Sequence, residues 1–165
     1  MFGATLGGAL NYAVYRRGIV EFEAAEKIVR GAKNSYHSYN GAFGMIPHKN
    51  LCPRNSTAFI LEVGMTSALV FTIFALTDPK KSVPEAAAPS LIGATVMALA
   101  AQFAPVTGCG MNPARDLGPR LVTATMGWGA AAWHPAWWVY SAGPVMGAVM
   151  GGFAYNKLMT KPEKK

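Results

Sequence analysis

Three long runs of apolar residues dominate the chain, and each has the length of a helix that crosses a membrane. A bilayer core about 30 Å thick requires roughly 20 mainly apolar residues in one helical span. The runs over 56–76, 86–105 and 135–159 reach that length. The first of them contains a single charged residue, Glu62. The pattern therefore predicts three full membrane spans.

A shorter apolar run opens the chain over residues 1–15. As a helix with a rise of 1.5 Å per residue, it would cover only about 22 Å, which is less than a full crossing. We therefore expect a truncated span, with the chain beginning partway through it. Gly3 and Gly7 are four residues apart in this run. That spacing predicts a close approach to another helix in lipid.

Polar residues between and after these runs predict the orientation of the chain. Residues 16–55 are polar, rich in glycine and interrupted by proline, which predicts a long loop outside the hydrocarbon. Lys80 and Lys81 follow the first full span, and further lysines lie at the end of the last span, at Lys157, and in the tail over 160–165. Lysine-rich connections favour the cytoplasmic side of a membrane. The pattern predicts an integral, multi-pass membrane protein with an extracellular loop 16–55 and a cytoplasmic C-terminus.

The stretch over 106–124, VTGCGMNPARDLGPRLVTA, is too charged to face lipid and too apolar for an ordinary loop. Asn112 is a favoured helix N-cap and Pro113 is favoured at the first helical position, so a short helix is predicted to begin here. Irregular backbone at membrane depth is tolerated only where protein buries it or where it lines a watery cavity. The Gly-rich strand before Asn112 is therefore expected to face a pore or a packed interior, as part of a re-entrant loop and half-helix.

Charge predicts what this helix start could do. A helix N-terminus carries about half a positive charge, and Arg115, one turn into the helix, adds a whole one. Together they would repel cations and attract acceptor oxygens. The alternative is that Asn112 is only a structural cap and that Arg115 extends its charged end to the membrane surface.

Composition excludes several other classes of protein. The chain is 52% hydrophobic and 14% charged, whereas a soluble domain has about 25% charged residues. The net charge of +7 does not indicate nucleic-acid binding, because lysine and arginine do not gather on one basic face. Cys52, Cys109 and the three histidines lack metal-ligand spacing, so we predict no metal and no cofactor. The sequence contains no phosphate-binding loop or nucleophile elbow, and we predict that the protein is not an enzyme.

The string GCGMNPARDLGPRL resembles the second NPA box of the aquaporin family, the major intrinsic proteins. Its Asp116 and Arg120 are similar to those of the aquaglyceroporin, or glycerol-facilitator, branch. The segments GATLGGAL, FEAAEKIVRG and AGPVMGAVMGGFAY, together with Pro47-His48, occur in the family order. The resemblance implies an all-α membrane protein with the aquaporin-like right-handed helical bundle. It implies one partial domain, residues 1–165, that holds the second inverted repeat with its re-entrant half-helix, while the first repeat is largely missing.

The resemblance also implies a path for solutes. Asn112 would donate its side-chain amide to a passing water or hydroxyl, the carbonyls of the preceding strand would accept, and Arg115 would donate at the outer constriction. Ala100 lies twelve residues before Asn112, where water-selective relatives typically have histidine, so the filter would be wide. Cys109 is similar to water channels, and Tyr140-Ser141 lack the Pro-Leu type pair of the glycerol branch. The implied pore and filter residues are Asn112, Pro113, Ala114, Arg115, Gly108, Cys109, Gly110 and Ala100.

Three charged residues would support this site. The resemblance implies that Glu62 accepts backbone N–H groups of the re-entrant loop, and a proton relay is the alternative for a carboxylate in a membrane span. Asp116 and Arg120 are expected to form a structural ion pair that holds the half-helix. Cys109 is expected to be a small filter residue, with a reactive thiol as the alternative.

We therefore expect a passive transmembrane channel for water and small uncharged solutes such as glycerol or urea, which excludes protons and ions. Its partners would be these solutes and the lipid bilayer, with no nucleic acid. The family resemblance implies a homotetramer when the protein is complete. Because half of the pore wall is missing, a non-conducting membrane fragment or scaffold subunit is one alternative. A water-selective aquaporin is the other.

Overall fold

The computed structural model describes residues 1–80 and 83–160, and the regular secondary structure of these residues is helical. Within those ranges no β-strand is present, and the predicted all-α fold class is confirmed. The predicted tail over 160–165 lies, beyond Thr160, outside the described residues. The helices are α1 (Phe2–Ala25), α2 (Asn55–Thr77), α3 (Ala88–Thr107), α4 (Pro113–Thr123) and α5 (Val139–Met159), with short helical turns at Ser35–Ser38, Glu85–Ala87, Ala124–Trp128 and Gly129–Ala132.

Two helical segments of the described chain are long and apolar enough to cross a membrane. They are α2 and the segment Glu85–Thr107, which contains α3, and they lie where the sequence predicts spans over 56–76 and 86–105. The span predicted over 135–159 is shorter in the structure, because its helix begins at Val139 rather than at Pro135. The residues before it form turns, in which the backbone N–H of Ala136 donates to the imidazole Nδ1 of His134 at 3.2 Å. Glycines and Pro144 also make α5 less apolar than α2.

Helix α1 is longer than its apolar run. The sequence predicts a span over 1–15 and a loop from residue 16, but the helix continues to Ala25. The added segment contains no proline, and Arg17 donates to Glu21 one turn later at 3.0 Å. Such pairs four residues apart stabilise a helix on its polar surface. The loop therefore begins after Ala25 rather than after Tyr15.

Gly143, Gly147 and Gly151 are spaced four residues apart along α5, and this glycine ladder packs against α2. A Cβ atom added at Gly147 would lie 2.5 Å from the carbonyl oxygen of Val63, and one at Gly151 would meet the backbone of Ser67. The two helix backbones are therefore in direct contact, which only glycine permits at these positions. The GxxxG spacing predicts helix packing here, and this prediction is confirmed.

The prediction that Gly3 and Gly7 approach another helix closely is wrong, because Gly8 makes the close contact instead. A Cβ atom at either position would meet nothing within 4 Å, whereas one at Gly8 would lie 2.9 Å from Cα of Pro119 in α4. Gly118 of α4 lies against Ala4 in the same way. Because α-helical side chains repeat about every 3.6 residues, it is the face containing Ala4 and Gly8 that turns toward α4.

The loop after α1, residues 26–54, packs against the helical turns that follow α4. Tyr39, Phe43 and Trp128 are fully buried in one cluster. The guanidinium of Arg30 lies 4.0 Å from the centroid of the Trp128 ring and donates to the Glu23 carboxylate at 2.9 Å. Aromatic burial and this cation–π contact join the loop to the end of α1.

Replacing Gly147 with leucine is expected to push α5 away from α2. Overpacking a close contact costs about 1–3 kcal/mol, and here the first side-chain atom would meet backbone that cannot rotate away. Gly147→Leu should therefore lower the melting temperature of the detergent-solubilised protein. Gly93→Leu is the matched control, because a Cβ at Gly93 meets nothing within 4 Å. Equal melting temperatures for the two variants would contradict this account of the interface.

Candidate functional site

The strand between α3 and α4 has an unusual backbone. Gly108, Cys109 and Met111 all have positive φ, at 86°, 55° and 50°. The left-handed region costs a residue with a side chain roughly 1–2 kcal/mol, so Cys109 and Met111 persist there only because surrounding contacts hold them. The irregular segment over 107–111 is not a β-strand, but we call it the filter strand for brevity. Its conformation is therefore held by contacts with neighbouring residues rather than by the backbone preferences of its own residues.

Glu62, in the middle of α2, provides one set of those contacts. Its carboxylate is fully buried. It accepts from the Thr107 hydroxyl at 2.8 Å, from the Gly110 backbone N–H at 3.0 Å and from the Met111 backbone N–H at 2.9 Å. Two of these three hydrogen bonds satisfy backbone N–H groups that have no helical partner. Glu62 thus holds the end of the filter strand where α4 begins.

Tyr140, in α5, provides a second set of contacts. Its side chain is fully buried, and its hydroxyl donates to the Thr107 carbonyl at 2.6 Å. Its ring covers Gly110, where an added Cβ would lie 2.6 Å from Cδ1. The roles of Tyr140 and Thr107 were not predictable from the sequence, because nothing in the local pattern shows that residues 33 positions apart are in contact.

Asn112 caps α4 as predicted. Its side-chain oxygen accepts from the backbone N–H groups of Ala114 at 3.0 Å and Arg115 at 3.2 Å, and Pro113 occupies the first helical position. The amide nitrogen of Asn112 is a donor that the cap does not use. The side chains of Asn112 and Arg115 are both exposed in this chain.

Asp116 and Arg120 form a fully buried ion pair one turn further along α4, with 2.6 Å between Nε and Oδ2. Arg120 also donates to the carbonyls of Ala132 and Met45, and the Met45 backbone N–H donates to Asp116 at 2.6 Å. A buried pair is tolerable when further hydrogen bonds satisfy both charges, as here. The pair ties α4 to the loop after α1. Met45 was not identified from the sequence.

A cavity of about 460 Å³ lies between α1 and the start of α4. Among the predicted site residues it brings together Asn112, Ala114 and Arg115. Ala100, half-buried on α3, is not part of its lining. Cys109 is buried instead, with its Sγ 3.8 Å from the Met65 sulfur. The remaining lining residues, unpredicted in this role, are Ala4, Gly7, Gly8, Asn11, Ala42 and Pro119.

A second cavity, of about 600 Å³, is lined by His37, His48, His134 and Cys52 among others. The imidazoles of His48 and His134 accept backbone N–H groups through Nδ1 and so stabilise turns. Burial, and then the charge of Arg120, lower the pKa of His134. Over residues 1–80 and 83–160, no three histidine, cysteine or acidic side chains are grouped to hold a metal ion.

Comparisons of this chain with a family model and with individual proteins agree on one family. The model of the major intrinsic protein family matches residues 1–155. The chain is 37% identical to the glycerol uptake facilitator proteins of Pseudomonas aeruginosa, over 96% of this chain and 58% of that protein, and of Escherichia coli K12, over 95% and 57%. It is 34% identical to human aquaporin-9, over 93% of this chain and 51% of that protein.

The solved structure of the aquaglyceroporin from Plasmodium falciparum has the same fold. It superposes with a TM-score of 0.72 at 23% identity, and the match covers 95% of this chain and 60% of that one. This confirms the predicted aquaporin-like helical fold. The chain spans between 51% and 60% of the length of the proteins named here. From the family model and these relatives together, the chain belongs to the major intrinsic protein, or aquaporin, family.

Proposed function

We propose that this chain forms one wall of a passive channel for water and small uncharged solutes such as glycerol or urea. Family membership and the apolar helices α2 and α3 indicate an integral membrane protein. The observation that carries the proposal is the placement of Asn112 and Arg115 together on an open cavity, next to a backbone strand held in a strained conformation. The names of the glycerol uptake facilitators and of aquaporin-9 support this choice of solutes.

The chemistry of the site suits a hydroxyl-bearing solute. A hydroxyl group both donates and accepts hydrogen bonds. The amide of Asn112 and the guanidinium of Arg115 would donate, and the carbonyls of Gly108, Cys109 and Gly110 would accept. A neutral solute could therefore exchange its water partners for protein partners along the path.

The same groups would exclude ions. The N-terminus of α4 carries partial positive charge, and Arg115 adds a full charge beside the cavity. A cation or proton would meet this positive charge, because Asp116 is already paired with Arg120 and the Glu62 carboxylate is turned toward the donors of the filter strand. Cys109 and Ala100 do not line this cavity, and we propose that they lie further along the path, where the small side chain of Ala100 leaves room for glycerol.

We place the C-terminus on the cytoplasmic side of the membrane. Residues 1–165 would form one partial domain. The wall opposite Asn112 would come from a sequence corresponding to the part of the relatives that this chain does not cover. The complete protein would assemble as a homotetramer in the bilayer. The exposure of Asn112 and Arg115 also favours a second candidate, a non-conducting scaffold that packs against other membrane proteins.

Flux measurements separate these candidates. Vesicles reconstituted with the complete gene product that contains these 165 residues should take up both glycerol and water faster than empty vesicles, as measured by stopped-flow light scattering. Accelerated water flux alone would identify a water-selective aquaporin. No acceleration of either solute would reject the channel and leave the scaffold.

Replacing Arg115 with alanine is expected to admit cations. The substitution removes a whole charge from a site where water is confined, and the barrier to a monovalent cation should fall as a result. Conductance in planar bilayers should rise for Arg115→Ala. The control Arg17→Ala removes an equal charge from the exposed pair on α1 and should leave conductance at the wild-type level. If Arg115→Ala also stays at that level, Arg115 does not exclude ions.

Replacing Glu62 with glutamine is expected to release the filter strand. Either orientation of the new amide places an NH₂ group against a backbone N–H, because Gly110 donates to one carboxylate oxygen and Met111 to the other. An unsatisfied buried donor costs about 1–3 kcal/mol. Glu62→Gln should lower both the melting temperature and the glycerol flux, while the exposed control Glu21→Gln changes neither. Unaltered flux in Glu62→Gln would show that the strand does not depend on this carboxylate.

A further inference from the structure

The second cavity, of about 600 Å³, lies where the loop over 26–54 meets the turn before α5. Its volume is in the range of small-molecule sites. Over the described residues it shares no lining residue with the cavity beside Asn112 and Arg115. The function proposed above therefore leaves it unassigned. Its polar lining side chains include Tyr36, His37, Asn40, His48, Lys49 and His134.

Two of the histidines each use one ring nitrogen to stabilise the local backbone. Nδ1 of His48 accepts from the backbone N–H groups of Asn50 at 3.3 Å and Leu51 at 3.2 Å. Nδ1 of His134 accepts from the Ala136 N–H at 3.2 Å. An accepting nitrogen carries no proton, so the proton of each neutral imidazole lies on Nε2. Each ring therefore keeps one N–H donor that its turn does not use.

Positive charge lies on both sides of the cavity. Lys49 brings a full charge from the loop over 26–54. On the other side, burial and then the charge of Arg120 lower the pKa of the His134 imidazole, which favours its neutral form. The influence of Arg120 reaches His134 although the arginine is paired with Asp116. Among the lining residues that the structure describes, none is acidic.

This lining favours a ligand that accepts hydrogen bonds and carries negative charge. An oxyanion accepts from several donors at once, and such charge-assisted hydrogen bonds are stronger than neutral ones. A cation would meet the charge of Lys49 with no carboxylate in the described lining to offset it. A neutral polyol would gain nothing from that charge.

We propose that this cavity is a binding site for a phosphate group, held by the Nε2–H groups of His48 and His134 and by the ammonium of Lys49. The bound group joins the loop over 26–54 to the turn before α5, because its ligands come from both segments. A ligand that binds only the folded protein also stabilises it. The phosphate belongs either to a free ion or to a lipid headgroup, and the site does not depend on transport through the proposed channel.

The first test is isothermal titration calorimetry of inorganic phosphate into the complete gene product in non-ionic detergent. Sodium chloride at the same ionic strength and constant neutral pH is the reference. We expect saturable binding, and a melting temperature that rises by at least about 2 °C when phosphate is about ten times its dissociation constant. Phosphate also stabilises proteins generally by exclusion from their surface. That general effect is the same in all variants, so the comparison of variants decides the result.

The double variant His48→Asn, His134→Asn removes both Nε2–H donors. Oδ1 of asparagine lies close to the position of Nδ1 and can accept the same backbone N–H groups, so the turns are kept. Loss of hydrogen bonds to a charged ligand should weaken phosphate binding at least about tenfold.

Lys49→Gln tests the site without touching the turns, since this side chain is exposed. It should weaken phosphate binding about threefold, as expected for one exposed charge. Lys33→Gln is the matched control, because it removes an equal charge from the same loop at an exposed position outside the cavity lining. It should bind phosphate with wild-type affinity. If the double variant melts below the wild type in the absence of phosphate, the comparison of Lys49→Gln with Lys33→Gln decides alone.

Phosphatidylglycerol added to the micelles distinguishes the two sources of the phosphate group. If this lipid stabilises the wild type and Lys33→Gln but not Lys49→Gln, and suppresses the binding of free phosphate, the site takes a lipid headgroup. If free phosphate binds equally well with and without the lipid, the site takes the free ion. The site is overturned if phosphate does not bind saturably, or if Lys49→Gln binds it as tightly as Lys33→Gln. Since no flux is measured, failure of this site and failure of the proposed channel are separate results.

Discussion

The structure depends on satisfying one stretch of irregular backbone in an environment that offers little water. Every unpaired N–H or C=O group is costly at membrane depth, which is why helices and closed barrels are the usual solutions. The filter strand departs from this rule, and the buried carboxylate of Glu62 compensates for it by accepting from Gly110, Met111 and Thr107. An anion placed in an apolar span is thus stabilised by the same donors that it satisfies.

Helix packing follows from this arrangement. Glu62 reaches the strand from a part of α2 against which α5 packs closely, and the glycines of α5 allow that close packing. A Cβ at Gly143 would lie 2.9 Å from Cβ of Glu62 itself, so one small residue leaves room for the carboxylate side chain. Tyr140 lies one turn before Gly143 on the same helix and reaches the strand from there. Close packing and the polar contacts are therefore parts of the same interface.

Local signals in the sequence were sufficient for some of these features and insufficient for others. The cap at Asn112 was predictable because it involves neighbouring residues, and the glycine ladder because its spacing is regular. The length of α1 was not, since the polar pair that continues the helix does not appear in an apolar pattern. The role of Met45, whose N–H meets Asp116, required a contact across 71 positions that no periodicity reveals.

The cavity beside Asn112 and Arg115 is open, and the charges around it differ in whether they are paired. The buried Asp116–Arg120 pair is neutral overall, whereas the N-terminus of α4 and Arg115 bring positive charge to the cavity. Under the proposed function, the positive potential that repels cations would thus come from these residues.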